Sequence, residues 1–310
     1  MTDISTFLEE KKLEYYTDQE IKLYTTIGIG GRAQTVAVVY EQEDLVSLLR
    51  FLDEKRAPFV LLGGGSNVVF PDGLSPLTLI VNRTARMEKL AEKGLVKINS
   101  GVTNQAFLSW AGDNDIGGME FLAGLPGTIG GAAAVNAGAF GVAMDSVLEK
   151  ADIFSPGSRE IKTVGNDYFQ FQYRNSIFKL GKEVILSVYL KYKHTPGEEV
   201  RETVRAKVKY RMDNHPPYSS ATAGCFFKNP VIDHKKVSAG KLIEGSGFKG
   251  TVHNRLQVSH LHANFIINRD GCSFEDIAAL EKEISQKVRE NNGIQLEREV
   301  IYITPQGEKY

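Results

Sequence analysis

The run from Gly124 to Gly141 carries no charge and few bulky side chains, so its backbone can approach something large and anionic. Pro126 presets φ for a turn or a first helical position. The small residues after it leave amide N–H groups unshielded, the arrangement that receives phosphate oxygens at a helix start. A diphosphate cofactor is the chemistry this suggests; a Gly/Ala helix packed tightly on a sheet is the plainer reading of the run by itself. Two further glycine clusters favour the cofactor. Gly63, Gly64, Gly65, Ser66 and Asn67 follow the apolar residues Phe59 to Leu62, which reads as a strand ending in a loop of exposed amides and one hydroxyl. The segment from Thr25 to Ala33 adds Gly28, Gly30 and Gly31. Its Gly28, Gly30 and Ala33 match a Gly-x-Gly-x-x-Ala string, but the β-branched stretch Thr35 to Tyr40 follows where a doubly wound dinucleotide site needs a helix, so none is assigned there. Three glycine loops in the first half point instead to one long cofactor threaded among several strands, with backbone amides on its pyrophosphate.

Other reactive side chains are sparse. The two cysteines, Cys225 and Cys272, make no disulfide framework and lack a second-cysteine spacing for zinc, and Cys272 reads as a small buried hydrophobe. His260 and His262 would share one face of a strand, half of a metal site. No third ligand accompanies them at metal spacing, and no metal is expected.

The elements that must position these groups are mixed α and β. Leu45, Leu48, Leu49 and Leu52 have helical spacing within residues 44–55, and strands are expected at 59–62, 78–81 and 96–99. Thr103 is placed to cap a short helix burying Ala106, Phe107, Trp110 and Ala111. Strands are expected again at 147–154 and 184–190, and from Glu199 a charged helix carries Val200, Val204 and Val208 on one stripe. A strand at 263–268 precedes a helix that Ser273 begins and Gly293 stops, with Phe274, Ile277, Leu280, Ile284 and Val288 inward; a strand at 300–303 closes the chain.

At 310 residues, 42% hydrophobic and 24% charged, the chain has ordinary globular composition. A formal net charge of -1 and the lack of a basic run interleaved with aromatics argue against nucleic acid as a partner. The stretch Met1 to Ser5 has no cationic start or apolar core, and no segment approaches the roughly eighteen apolar residues of a membrane span. A cytoplasmic protein without a membrane partner is expected.

Taken in order, eight strings resemble the UDP-N-acetylenolpyruvoylglucosamine reductase (UDP-N-acetylmuramate dehydrogenase) family over nearly the whole chain. They are Thr25 to Gly31, Gly63 to Asn67, Gly124 to Gly141, Tyr173 to Ser176, Gly224 to Pro230, Ala239 to Glu244, His262 to Asn268 and Leu296 to Val300. The resemblance implies an α+β fold: a two-lobed FAD-binding domain of the vanillyl-alcohol-oxidase (PCMH) type at 1–205, with lobes of about 1–82 and 83–205, then a C-terminal α/β substrate-binding domain at 206–310. The short interval between Arg174 and Cys225 is similar to the subgroup lacking an extra substrate-covering insertion. By the same resemblance FAD is bound non-covalently and reduced by NADPH, and a small nucleotide sugar, the enolpyruvyl ether of UDP-N-acetylglucosamine, is reduced to UDP-N-acetylmuramate by a monomer. Its FAD contacts would be Thr26 and Gly28, then Gly63, Gly64, Gly65, Ser66 and Asn67. The third loop would add Gly124, Pro126, Gly127, Thr128, Gly130 and Gly131, followed by Ala134, Asn136 and Gly138.

Arg174 matches the family arginine, and a planar cation suits a substrate carboxylate and the negative charge that hydride addition develops beside it. Glu299 matches the second acid of the C-terminal Leu-Glu-x-Glu-Val string, although alternation puts Glu297 on the same strand face. Cys225 occupies the place of the usual proton-donating serine. A thiol with a reference pKa of about 8.5 is a far better acid than an alcohol, so the role is chemically feasible while the thiol stays protonated. Tyr173, Lys228, Asn229 and His262 are the expected substrate contacts. Asn214 and His215 stand where many members have lysine or glutamine before the proline turn. Two other readings share these features: another flavin oxidoreductase of the same cofactor fold, and a nucleotide-sugar-binding module impaired in catalysis. With no histidine before His194, covalent flavin in the N-terminal half is disfavoured.

Overall fold

Residues 3–91, 94–232 and 235–310 are described by a computed structural model, in which the leucine spacing after Glu41 forms the helix Gln42–Lys55. Met1 and Thr2 of the N-terminal stretch lie outside these residues. Leu45, Leu48, Leu49 and Leu52 are all buried, and Arg56 ends the helix in the left-handed region at φ 50. The helix lies within one hydrophobic cluster with Ala37, Val39 and Ile80 of neighbouring strands. The strand Phe59–Leu62 pairs parallel with Leu74–Asn82, Phe59 opposite Thr78, the connection between them carrying the short strand Val68–Val69.

A five-stranded sheet follows in the order Glu160–Gly165, Leu148–Ser155, Val184–Lys191, Leu95–Asn99, Met87–Lys89, antiparallel in each pairing. Thr103 caps the helix Asn104–Asp113, its hydroxyl accepting the Ala106 N–H at 3.1 Å. Phe107, Leu108 and Ala111 face inward, while Ala106 is exposed, contrary to expectation. The inward stripe is set by Phe107 and its helical neighbour Ala111, and Ala106 falls beside it. The charged helix spans Gly197–Asn214; Val200 is buried, and Val204 and Val208 are partly buried against the same core.

In the C-terminal region the sheet order is Thr222–Cys225, Phe265–Asn268, Leu256–Val258, Val252–His253. The helix Phe274–Asn292 has a full capping box between Ser273 and Asp276 and ends at Gly293, φ 70. Ile277, Leu280, Ile284 and Val288 are buried; Phe274 is only half-buried. The expected strand at 263–268 begins later because Phe265 N–H turns back to His262 O at 3.0 Å. The closing strand is Ile301–Tyr302, parallel to Val68–Val69.

By internal contacts the chain makes two units, Met1–Thr17 with Thr35–Gly64 and Leu77–Arg211, and Asp18–Gln34 with Gly65–Pro76 and Met212–Tyr310. A single division at 205/206 therefore does not describe the packing. Ile27, Ile29 and Val69 are buried in the core of the second unit with Phe226, Val258 and Ile277, which ties two N-terminal segments to the C-terminal one.

Candidate functional site

In the first unit two expected cofactor loops meet through bare backbone. A Cβ at Gly63 would stand 2.3 Å from Thr128 Oγ1, and one at Gly64 only 2.6 Å from the Gly127 Cα. Gly124 and Gly127 flank Leu125 and Pro126 at φ +69 and +120, conformations that favour glycine. Peptide groups with no side chain above them are a donor set suited to a diphosphate. Thr128 then caps the six-residue helix Ile129–Ala134, its hydroxyl accepting the Gly131 N–H at 3.3 Å.

The first amides of that helix have internal partners, contrary to the expectation of unshielded donors there. Ile129 N–H donates to Val102 O at 2.8 Å, Gly130 N–H to Ser100 O at 3.0 Å and Ala132 N–H to Thr128 O at 2.8 Å. A Cβ at Gly130 would lie 2.4 Å from the Ser100 Cβ, so this glycine is required by packing. Gly63, Gly64, Gly127 and Thr128 are the better candidates to hold a pyrophosphate.

The turn carrying Tyr173 and Arg174 is fastened to the next stretch of expected cofactor residues. Ser176 Oγ donates to Ala134 O at 2.6 Å, and Arg174 donates to Gly138 O at 2.6 Å and to Asn136 O at 3.5 Å. Asn136 replies from its side chain to Gln172 O at 3.0 Å, and also holds Asp145 through two bonds of 3.0 and 3.1 Å. Arg174 (φ 56) and Asn136 (φ 48) both take left-handed backbone, and the guanidinium lies 5.5 Å from the Tyr173 ring. A cavity of about 630 Å³ in this unit, lined by Tyr40, Arg83, Arg86 and Lys97 among others, contains none of the expected site residues.

In the second unit Thr26 N–H donates to Gly65 O at 3.0 Å and its hydroxyl to Thr222 O at 2.7 Å. Gly65 (φ +61) admits no side chain, since a Cβ would meet Tyr24 O at 2.0 Å. Gly28 sits at φ +66, its carbonyl accepting from Asn268 Nδ2 at 3.3 Å. Beyond Ser66, Asn67 O accepts the Ile301 N–H at 3.0 Å and Asn67 Nδ2 donates to Glu299 O at 3.4 Å.

Cys225 ends its strand opposite Phe265, after an irregular step at Gly224, φ +80. Phe226 O, one peptide farther, accepts the Glu299 N–H at 2.9 Å. The backbone thus brings the thiol-bearing and carboxyl-bearing residues onto adjoining bonded segments. Glu297, which alternation left equivalent to Glu299, forms an ion pair with Lys228 and is 72% exposed, whereas Glu299 is half-buried. Lys228 is therefore a paired cation, 13% exposed. Asn229 Oδ1 accepts the Ala239 N–H at 2.9 Å, at the start of the helix Ala239–Gly245.

His260 and His262 do not share a strand face, because the segment before Phe265 is a turn; His260 is exposed and His262 half-buried. The His262 ring stacks on His215 with centroids 5.1 Å apart and meets Phe265 edge-on at 5.2 Å. Burial holds its pKa below the ordinary histidine value. Among the described residues no group of three His, Cys, Asp or Glu is placed to hold a metal. One residue escaped the sequence reading. Asn264 is buried and grips Phe227 through both N–H (2.9 Å) and O (2.8 Å), and its only sequence signal is an amide inside the apolar stretch Ala263 to Ile267.

Two family models match the chain: an FAD binding domain over residues 33–163, and the UDP-N-acetylenolpyruvoylglucosamine reductase C-terminal domain over residues 215–303. UDP-N-acetylenolpyruvoylglucosamine reductase from Geobacter metallireducens is 32% identical over 94% of this chain and 94% of its own length. The protein of that name from Protochlamydia amoebophila is 34% identical, again over 94% of each. The chain belongs to the UDP-N-acetylenolpyruvoylglucosamine reductase family. The crystal structure of the UDP-N-acetylenolpyruvylglucosamine reductase from Thermus caldophilus superposes with a TM-score of 0.74 at 29% identity, covering 94% of this chain and 98% of that one. The fold of this UDP-N-acetylenolpyruvoylglucosamine reductase family member is accordingly α+β, with a two-lobed FAD-binding domain of the vanillyl-alcohol-oxidase type and a C-terminal α/β domain. No helix among the described residues is long and apolar enough to cross a membrane.

Proposed function

We propose that the protein reduces the enolpyruvyl ether of UDP-N-acetylglucosamine to UDP-N-acetylmuramate with NADPH, through FAD. The observation that carries this reading is the likeness, over more than nine-tenths of both chains, to proteins bearing that name. Bound FAD supplies the hydride, taken from NADPH, that adds to the methylene carbon of the enolpyruvyl group. Arg174 holds the carboxylate and the negative charge that develops at the neighbouring carbon. Cys225 then gives its thiol proton to that carbon and is reprotonated from solvent, while Glu299 polarises the same centre. Tyr173, Lys228 and Asn229 are assigned to the nucleotide sugar. Gly63, Gly64, Gly127 and Thr128, with the residues around Asn136, hold the cofactor. The same reading makes the protein a cytoplasmic monomer in peptidoglycan precursor synthesis, and through that in cell-wall biogenesis, cell shape, the cell cycle and division. Its formal net charge of -1 supports the absence of a nucleic-acid partner.

The purified protein is expected to be yellow, to bleach on anaerobic addition of NADPH and to recover its colour when the enolpyruvyl nucleotide is added. Bleaching without recovery would reject this turnover and leave another flavin oxidoreductase or a nucleotide-sugar-binding module impaired in catalysis. Because Arg174 ties down Gly138 and Asn136, Arg174→Gln is expected to weaken FAD binding about tenfold in addition to slowing turnover, as loss of a charge-assisted hydrogen bond does. Titration of apoprotein with FAD by fluorescence checks this, and an unchanged dissociation constant would confine Arg174 to the substrate.

A further inference from the structure

We propose that His262 is a positioning residue for Cys225, acting through the turn that places Asn264; this rests on the reading of Cys225 as proton donor. His262 Nδ1 accepts the Asn264 N–H at 3.3 Å, so that nitrogen carries a lone pair and the ring proton is on Nε2. The contact spans two residues, the pattern by which Asn and Asp side chains stabilise turns. From that turn Asn264 makes three bonds to the two residues that follow Cys225. Its backbone carbonyl accepts the Phe226 N–H at 2.8 Å, its Oδ1 accepts the Phe227 N–H at 2.9 Å, and its Nδ2 donates to Phe227 O at 2.8 Å. The other side of Phe226 is held by Glu299 N–H at 2.9 Å. The direction of the Cys225 side chain is therefore set by a segment whose geometry depends on an unprotonated imidazole nitrogen.

The surroundings keep the ring in that state. It stacks on His215 at 5.1 Å and lies close to the start of the helix Ala239–Gly245, where a Cβ at Gly240 would crowd it at 3.0 Å from His262 Cε1. The charges acting on it are Lys249 and Glu244, which oppose one another and pair at 2.9 Å, and His260 on its own turn is exposed. Burial, the largest influence, disfavours the imidazolium and outweighs a hydrogen bond to the residue's own backbone, which favours it. Protonation of Nδ1 would turn an acceptor into a donor facing the Asn264 N–H and add charge beside His215.

The test is stopped-flow reoxidation of NADPH-reduced holoenzyme by the enolpyruvyl nucleotide between about pH 5 and 8, the range in which histidine titrates. Wild type is expected to show an acid limb in the maximal reoxidation rate below the ordinary histidine value, with no matching limb in FAD reduction by NADPH. His262→Phe, which keeps the ring packing without the acceptor, is expected to lower the maximal rate about tenfold or more with the half-saturating substrate concentration unmoved. His262→Asn restores a non-titrating acceptor two residues before the same N–H; it is expected to recover a large part of that loss and to flatten the acid limb. An acid limb that persists unaltered in His262→Asn overturns the proposal. So does His262→Phe with a wild-type maximal rate, or with a raised half-saturating concentration alone, which would make His262 a substrate contact. FAD content and the rate of reduction by NADPH confirm that each variant is folded, and His262→Asn decides the matter if His262→Phe is not. Equal reoxidation by wild type and Cys225→Ala would remove the donor role itself, and the proposal with it.

Discussion

Cys225→Ala is expected to leave FAD reduction by NADPH at its wild-type rate and to slow reoxidation by the enolpyruvyl nucleotide by roughly 10²- to 10⁴-fold, the usual effect of removing a positioned acid. The two half-reactions separate because hydride transfer from NADPH needs no proton donor at this position, whereas completing the reduced product does. Alanine occupies the same strand end without disturbing the bonds of Phe226 to Asn264 and Glu299, since these use backbone groups. Cys225→Ser should retain substantial activity and become resistant to thiol-alkylating reagents, which isolates the donor from the shape of the side chain. Proton delivery by Glu299 or water would make the Cys225→Ala loss smaller. Indistinguishable reoxidation of wild type and Cys225→Ala in stopped-flow would return Cys225 to a packing role.

Gly130→Glu is expected to destabilise the fold by more than about 3 kcal/mol, combining overpacking with burial of a carboxylate that has no partner. The first added carbon already falls 2.4 Å from the Ser100 Cβ and 2.8 Å from its carbonyl oxygen. Loss of bound FAD would follow from loss of structure. Denaturant unfolding together with flavin content distinguishes the two routes: a variant of normal stability that merely fails to retain FAD would show that Gly130 does face the cofactor.

The difference between that expectation and the sequence reading shows where local pattern stops. The helix Phe274–Asn292 was legible from Ser273 to Gly293 because capping, inward stripe and stop signal all lie within a few residues of one another. The same holds for the leucines of Gln42–Lys55 and for the Thr103 cap. Glycine loops were visible as loops, since glycine content by itself announces exposed or left-handed backbone. The amide partners of those glycines were not visible, because Gly130 meets Ser100 only through the fold.

Sequence by itself determined the longer helices and several of the strands, and it pointed to the cofactor class through three glycine clusters and, through resemblance, to candidate reacting residues. Tertiary structure alone decided that residues 18–34 and 65–76 pack with the C-terminal unit. It also set Glu299 apart from Glu297, gave Asn264 its grip on Phe227, and turned His262 away from the face of His260. These outcomes rest on bonds between groups far apart in the chain, such as Asn268 to Gly28 across 240 residues. Periodicity reports which face of an element is apolar, whereas the partner of a buried amide, carboxylate or ring is fixed only when distant segments compete for the same donor and the same space.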